Sequence, residues 1–448
     1  MRKIKDMTPM FDKLGPALAR FALEERPGSP GDFYVTSFMN WYAVTLAGAR
    51  RGVVDTLCRF HAADGAQGNC QPLGRDERLP ATATVGVDCL SSAALAYDDI
   101  HFETTLHPAG PVAAAIMGIA RRQRVSGVAA LQALRVGMEI ECRLSAAMFN
   151  AGTGAANGWY PTGMAGGFGA AAAAGRLLGL DEGAMQAALA LAACRASGIR
   201  GAHGAMSAYW PPAIAAEAGY AAALMADQGF TGSISALSGP NGLLRQVAAK
   251  PDLPAALDGL GQNHICESTA PKLYPYGFIA YAPIDCAMRL AKAAAAQGTS
   301  VATAVLSVSP TCARLGGHDL PANMFEAQVA LRYIVARMLG DPAIAYTPVP
   351  DDFTIDPADA ARAGLVEVRA DPDLGNHQCV LQAHFANGDE LVISCDAAPG
   401  SVENPLPSGT IADKAQRLLI TLHGEIAAAE LMARLKALSD LEDLSVLL

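Results

Sequence analysis

The 448-residue chain is poor in charge and in aromatic rings: 17% of its residues are Asp, Glu, Lys or Arg, and 6% are Phe, Trp or Tyr. Its formal net charge is −10, and no basic stripe is interleaved with aromatics, which argues against a nucleic-acid partner. No run of about twenty apolar residues is free of charge or repeated glycine, so the apolar stretches read as buried helices rather than membrane spans. The basic amino terminus lacks the apolar stretch and cleavage site of a signal peptide. Ten cysteines form no C-x-x-C and no Cys/His cluster with zinc spacing. They read as reduced thiols of a cytoplasmic protein, not as a disulfide framework. There is no Walker loop, no G-x-G-x-x-G after a strand, no H-E-x-x-H and no G-x-S-x-G, so no organic cofactor or metal is expected.

What is abundant is alanine and glycine, whose small side chains let helix axes approach. A chain of this length holds two or three domains. From about residue 15 to 250, apolar residues recur at three- and four-residue spacing, which predicts helices over 39–61, 111–121, 128–149, 164–178, 182–196, 211–228 and 241–248. Pro211-Pro212 and Asp181-Glu182 mark helix starts. Glycine-rich 163–169 follows no strand and reads as a close helix contact. The character changes after about 262. Strands are predicted over 302–309, 366–369, 379–385 and 390–395, the last two joined by the turn Ala386 to Asp389. Helices at 277–297 and 323–339 lie between them. Proline-rich 399–407 leads to helices at 410–421 and 424–438. The expected fold class is mainly α: an all-helical domain of residues 1–261 and 400–448, with a smaller α+β lid of residues 262–399 inserted. The cleft between them is the default site.

The densest chemistry lies in Tyr97 to Gly110, Y-D-D-I-H-F-E-T-T-L-H-P-A-G. It holds two adjacent carboxylates and two histidines six residues apart, just before an Ala-rich helix. Histidine gives or takes a proton near neutral pH, and a neighbouring carboxylate fixes its tautomer or raises its pKa. The alternative is a helix start with capping acids and a packed histidine.

Six segments, in order, together resemble the MmgE/PrpD family. They are L-A-Y-D-D-I-H with H-P-A-G at 107–110; G-W-Y-P-T-G-M-A-G-G-F-G-A-A-A-A-A-G-R-L-L-G-L-D at 158–181; A-S-G-I-R-G-A-H-G-A-M-S at 196–207; K-L-Y-P at 272–275 with A-P-I-D at 282–285; E-A-Q-V-A-L-R-Y at 326–333; and P-G-S-V-E-N-P at 399–405. The resemblance implies a helical domain, an α+β lid, a cleft between them, a homodimer and no cofactor. It implies proton chemistry next to a carboxylate or carbonyl, serving dehydration, decarboxylation or epimerisation. The chain departs from the family pattern at several places. Ala96 stands where the family has an acid, Tyr160 where it has a catalytic histidine, Ala208 where it has a lysine and Pro211 where it has a further histidine. Y-G-F-I-A-Y after Tyr274-Pro275 lacks the usual arginine and histidine.

The expected catalytic set is His107 for proton transfer, Asp98 or Asp99 to orient it, Lys272 to meet a carboxylate or oxyanion, and Tyr160 and Tyr333 as hydrogen-bond donors. Substrate contacts are expected from Asp98, His101, His203, Trp210 and Tyr281. Each has a structural alternative: a helix-end cap for the histidines and acids, a linker position for Lys272, a core position for Tyr333. Fewer charges in the site imply a substrate less anionic than methylcitrate or aconitate. The expected activity is a cofactor-independent lyase. An isomerase, epimerase or cyclase using the same proton transfer, and a non-catalytic binding protein, are the alternatives.

Overall fold

The computed structural model describes residues 8–24, 28–149, 158–317 and 320–448; the basic residues 1–7 lie outside the described residues. The chain begins with α1 (Thr8–Leu23), α2 (Asp32–Gly48), α3 (Gly52–Ala63), α4 (Ala81–Ala93), β1 (Asp99–His101), α5 (Ala109–Ala120), α6 (Gly127–Phe149), α7 (Pro161–Leu178), α8 (Glu182–Ala193) and α9 (Trp210–Asp227). After short helical turns come β2 (Thr269–Pro271), α10 (Tyr281–Ala296), β3 (Val301–Val308), α11 (Leu331–Gly340), β4 (Val366–Ala370), β5 (Cys379–Phe385) and β6 (Glu390–Cys395). The chain ends with α12 (Thr410–His423) and α13 (Glu425–Lys436). The fold is mainly α with a smaller α+β part, as the residue pattern predicts.

Two cores divide the molecule. The larger runs from Phe11 to Cys266 and gathers Ala415 to Leu447 of the last helices. The smaller runs from Tyr274 to Ala398 and takes in Ile100 and Phe102 from beyond α4. Its sheet has the order β4-β3-β5-β6, with β3 and β4 parallel and the other pairs antiparallel. One face of β5 is buried at Cys379, Leu381, Ala383 and Phe385, the two-residue period of a half-covered strand. A second sheet of only two strands pairs β1 with β2, Asp99 opposite Pro271 and His101 opposite Thr269. Three-residue strands carry too little alternation to be read from sequence, so no residue pattern predicts this pairing.

Local chemistry sets the ends of α7 and the start of α8. Pro161 fits the first turn of α7, where its missing N–H is not needed. Gly179 ends that helix at φ 74°, a left-handed position that costs glycine little. Asp181 then starts α8 by accepting a hydrogen bond from the Ala184 N–H at 2.8 Å. The helix predicted over 39–61 is instead two helices. Gly48 meets the Ser91 carbonyl, the Arg75 guanidinium takes the Ala49 carbonyl, and Arg51 reaches the Val349 carbonyl at 2.6 Å. The helix predicted over 323–339 is also broken, because the Gln328 carbonyl accepts from the Gly277 N–H at 2.7 Å rather than continuing the helix. All ten cysteines are free, and Cys194 is exposed at the end of α8. Among the described residues no helix is long and apolar enough to cross a membrane.

Helices α7 and α9 form the tightest pair, with buried alanines and glycines on both sides. Gly219 is the closest point: a Cβ there would lie 2.2 Å from the Gly167 carbonyl oxygen and 2.6 Å from the Ala170 Cβ. Backbone cannot yield as a side chain can, and overpacking costs about 1–3 kcal/mol or more. Gly219→Ala is therefore expected to lower the urea midpoint markedly, although alanine is the better helix former. An unchanged midpoint would show that the two helices are free to separate.

Candidate active site

A cavity of about 340 Å3 lies where the two cores meet. The larger part contributes Asp98, His107, Tyr160 and Arg200 to its lining, and the other side contributes Lys272 and Phe278. The alternation of extended backbone decides which residues of the Asp98 to His101 segment reach it. Asp98 and Ile100 line the cavity, whereas Asp99 and His101 point away.

Asp98 is the hub. Its Oδ1 accepts from the Lys272 ammonium at 2.7 Å, and its Oδ2 lies 3.2 Å from His107 Nδ1. Burial pushes the Asp98 carboxyl up, but Lys272 and His107 outweigh it and hold it below the ordinary carboxylate range. The Lys272 side chain is 6% exposed, so it is no linker lysine in solvent. Lys414 of α12, fully buried, donates to the Asn40 side-chain oxygen at 2.7 Å and to the carbonyls of Tyr97 and Lys272 at 2.6 and 2.8 Å. Asn40 in turn donates to the Asp98 carbonyl at 3.0 Å. One ammonium thus fixes the backbone on both sides of the Asp98–Lys272 pair.

His107 Nδ1 lies 2.5 Å from the Asp99 carbonyl oxygen. A carbonyl only accepts, so Nδ1 carries a proton. Burial, against the pull of Asp98, lowers the imidazole to about 4, so the ring is neutral at pH 7 and Nε2 is its basic nitrogen. Nε2 takes no partner among the described residues. The Asp99 carboxylate points the other way and accepts from the Ala109 N–H at 3.0 Å, where it meets the positive end of α5. Burial and the Asp98 charge raise it to about 7. Behind it Glu141 is wholly buried, and neither of its oxygens has a hydrogen-bond partner among the described residues. Burial and then the Asp99 charge push Glu141 well up, so it is held neutral.

Tyr160 stands 6.3 Å from the His107 ring and meets His203 edge-on at 5.4 Å, centroid to centroid. Burial, reinforced by Asp98, raises its hydroxyl, which keeps its proton and can donate. Burial also lowers His203, whose Nδ1 lies 2.7 Å from the Arg200 carbonyl. Backbone strain collects here as well. Ala96 and Thr105 have φ 50° and 56°, are the non-glycine positive-φ positions among the described residues, and both line the cavity. For a β-branched residue such a conformation costs about 1–3 kcal/mol and is typical of ligand sites.

The predicted site residues therefore divide. Asp98, His107, Tyr160, His203 and Lys272 come together at the cavity. Asp99 acts on His107 only through its carbonyl. His101 is no surface cap: it is fully buried, bonded to the Thr104 hydroxyl and the Ile265 carbonyl. Trp210 begins α9 facing solvent at 55% exposure, while its neighbour Tyr209 faces the cavity. The Tyr281 hydroxyl is tied to the Tyr274 backbone, at 2.7 Å to the carbonyl and 3.2 Å to the N–H. Tyr333 packs edge-on against Phe353 in the smaller core. None of these four lines the cavity. Arg200 and Lys414 were missed. Arg200 is a solitary charge in A-S-G-I-R-G-A, and Lys414 shares the apolar face of α12 with Ile411, Ala415 and Leu418, so both signals were present.

Asp98, Asp99 and His107 offer three metal-ligand atoms within 4.8 Å of one another. They do not fit a metal well. Lys272 already brings the cation to Asp98, and His107 Nδ1, the nitrogen 3.2 Å from Asp98, carries a proton.

Two family models match the chain: the MmgE/PrpD N-terminal domain over residues 18–256 and the MmgE/PrpD C-terminal domain over residues 274–438. Among curated relatives, the cis-aconitate decarboxylase-like protein oryM of Aspergillus oryzae is 31% identical over 174 residues, 37% of this chain and 36% of its own length. A cis-aconitate decarboxylase of Aspergillus terreus is 29% identical over 169 residues, 36% of this chain and 34% of its own length. The matched stretch thus spans about a third of each relative.

A histidine buried neutral makes stability depend on pH. Between the unfolded value near 6.5 and the folded value of about 4, the unfolded chain binds a proton that the folded chain refuses. This contribution is intact above pH 6.5 and is lost as pH falls toward 4. The urea midpoint is expected to fall less between pH 7 and 5 in His107→Asn than in the parent. An equal fall in both proteins would show that His107 is not buried neutral.

Proposed function

The chain belongs to the MmgE/PrpD family, and from that premise we propose that it is a lyase acting by proton transfer next to a carbonyl or carboxylate. The observation that carries this reading is the pinned imidazole: His107 Nδ1 is held by the Asp99 carbonyl and faces Asp98, which leaves Nε2 as a base at the cavity. Nε2 takes the proton on the carbon next to the substrate's carbonyl or carboxyl group, and the imidazolium formed is stabilised by Asp98. Lys272 and the Tyr160 hydroxyl donate toward the oxygen on which enolate charge develops.

A histidine that starts neutral suits proton removal as the first step. The carbon–hydrogen pair moves to form the double bond, a β-hydroxyl leaves as water with the proton returned by the imidazolium, and His107 is neutral again. Decarboxylation with His107 as the proton donor would instead need its imidazole protonated at the start, to protonate the carbanion left by carbon dioxide. Dehydration is therefore the favoured form. The relatives named as cis-aconitate decarboxylases suggest an acid substrate. Ala96, Ala208 and Tyr160 on the cavity wall favour a less anionic acid than cis-aconitate or methylcitrate.

The test is turnover of a panel of hydroxy acids in deuterated water, followed by NMR. Expected are loss of water from one or more of them, weak or no action on cis-aconitate and 2-methylcitrate, and a drop on the order of 10²-fold or more in His107→Asn. Full activity in that variant, or efficient turnover of either tricarboxylate, would refute the proposal. Deuterium incorporation without mass loss would favour an isomerase or epimerase instead.

A further inference from the structure

We propose that Arg200 is the carboxylate-recognition residue of this cavity, and that its ligands are monocarboxylates with an apolar body. The inference deepens the lyase reading and rests on it only in treating the ligand as a substrate.

Most charges that line the cavity are already engaged. Lys272 is committed to Asp98 at 2.7 Å. His107 is neutral for the reasons given above. Glu326 also lies on the wall, its carboxylate accepting from the Ala322 N–H at 2.8 Å and from the Asn323 side chain at 3.3 Å. Arg200 is different. Its Nε donates to the Trp159 carbonyl at 3.2 Å and its Nη2 to the Thr105 hydroxyl at 2.8 Å. Its Nη1 has no partner, and no carboxylate pairs with the guanidinium, among the described residues. A half-buried guanidinium without an anion is unfavourable, and its planar fork matches a carboxylate.

The guanidinium is also held in place. The Arg200 N–H donates to the Gly158 carbonyl at 2.7 Å, so the segment before α7 fixes its backbone. Thr105, which orients its side chain, is the β-branched residue in the left-handed conformation. A strained threonine holding an unpaired arginine at a cavity wall is a preorganised ligand clamp. Arg200 adjoins the catalytic residues: its carbonyl holds His203, whose ring rests on Tyr160, the neighbour of His107.

The rest of the cavity gives the ligand class. Ile279, Leu315, Phe325, Val329 and Ala208 offer no charge. A second or third carboxylate would meet these side chains or the Glu326 carboxylate, and no further free cation among the described lining residues. An alkyl or alkenyl segment fits that wall.

Titration calorimetry on the full chain, with hexanoate, hexanamide and tricarballylate as probes, tests the proposal. Hexanoate is expected to bind. Hexanamide, and hexanoate with Arg200→Gln, should bind at least about tenfold more weakly, because each lacks the charge-assisted pair. Arg200→Lys should fall between, as it keeps the charge without the fork. Tricarballylate should bind more weakly than hexanoate. The proposal is overturned if hexanoate does not bind the parent, if hexanamide or tricarballylate binds as well as hexanoate, or if Arg200→Gln leaves hexanoate affinity unchanged. Should Arg200→Gln fail to fold, the acid–amide comparison on the parent and the Arg200→Lys variant still decide the matter. His107→Asn should retain hexanoate binding while losing proton transfer. Carboxylate binding through Arg200 with no turnover of any acid would defeat the lyase reading and leave the clamp standing.

Discussion

The buried pair of Asp98 and Lys272 is the interaction on which the site depends. Its side chains are 10% and 6% exposed, so each charge needs the other: a lone charge at that depth would cost several kcal/mol. Backbone pairing enforces the meeting. Strands β1 and β2 run antiparallel, and the ladder continues one step further, with the Lys272 N–H donating to the Asp98 carbonyl at 2.9 Å. Because β1 follows the helices of the larger core and β2 leads into the smaller one, this short ladder also fixes the cavity wall. Lys414 and Asn40 saturate the carbonyls around it, so the pair is supported from α2 and α12 together.

The same pair sets the electrostatics around it. With Asp98 charged, a second carboxylate close behind it ionises only reluctantly. Burial and that charge together raise Asp99, and burial with the Asp99 charge holds Glu141 neutral. The imidazole of His107 lies between these acids and the cavity. Its proton is directed to the Asp99 carbonyl, which can only accept, and its basic nitrogen is left without a partner among the described residues. Lys272, neutralised by Asp98, offers hydrogen bonds rather than net charge. Recognition of an anionic substrate then falls to Arg200, which pairs with no carboxylate among the described residues.

Much of this was legible in the residue order. The helical period gave the mainly α fold, and the period of two gave the strands of the smaller sheet, since both follow from burial of one face. His107, Asp98 and Lys272 were legible because polar chemistry is rare in so apolar a chain. What was hidden depends on contacts between distant segments. Adjacent Asp98 and Asp99 look equivalent in sequence, but an extended backbone sends one to the cavity and the other to a helix end. His101 and Tyr281 look available until Ile265 and Tyr274 are seen to occupy them. The breaks at Ala49 and Gln328 arise from partners on other elements, Arg75 and Gly277, which no local pattern carries.

His107 rests as a neutral imidazole protonated on Nδ1, with Nε2 as the base. Nitrogen-15 NMR of the histidine-labelled protein at pH 7 reads this directly, through the different shifts of protonated and unprotonated ring nitrogens. A His107 signal pair with Nδ1 protonated and Nε2 bare is expected, lost in His107→Asn. A His107 ring protonated on Nε2 instead, or on both nitrogens, would contradict it.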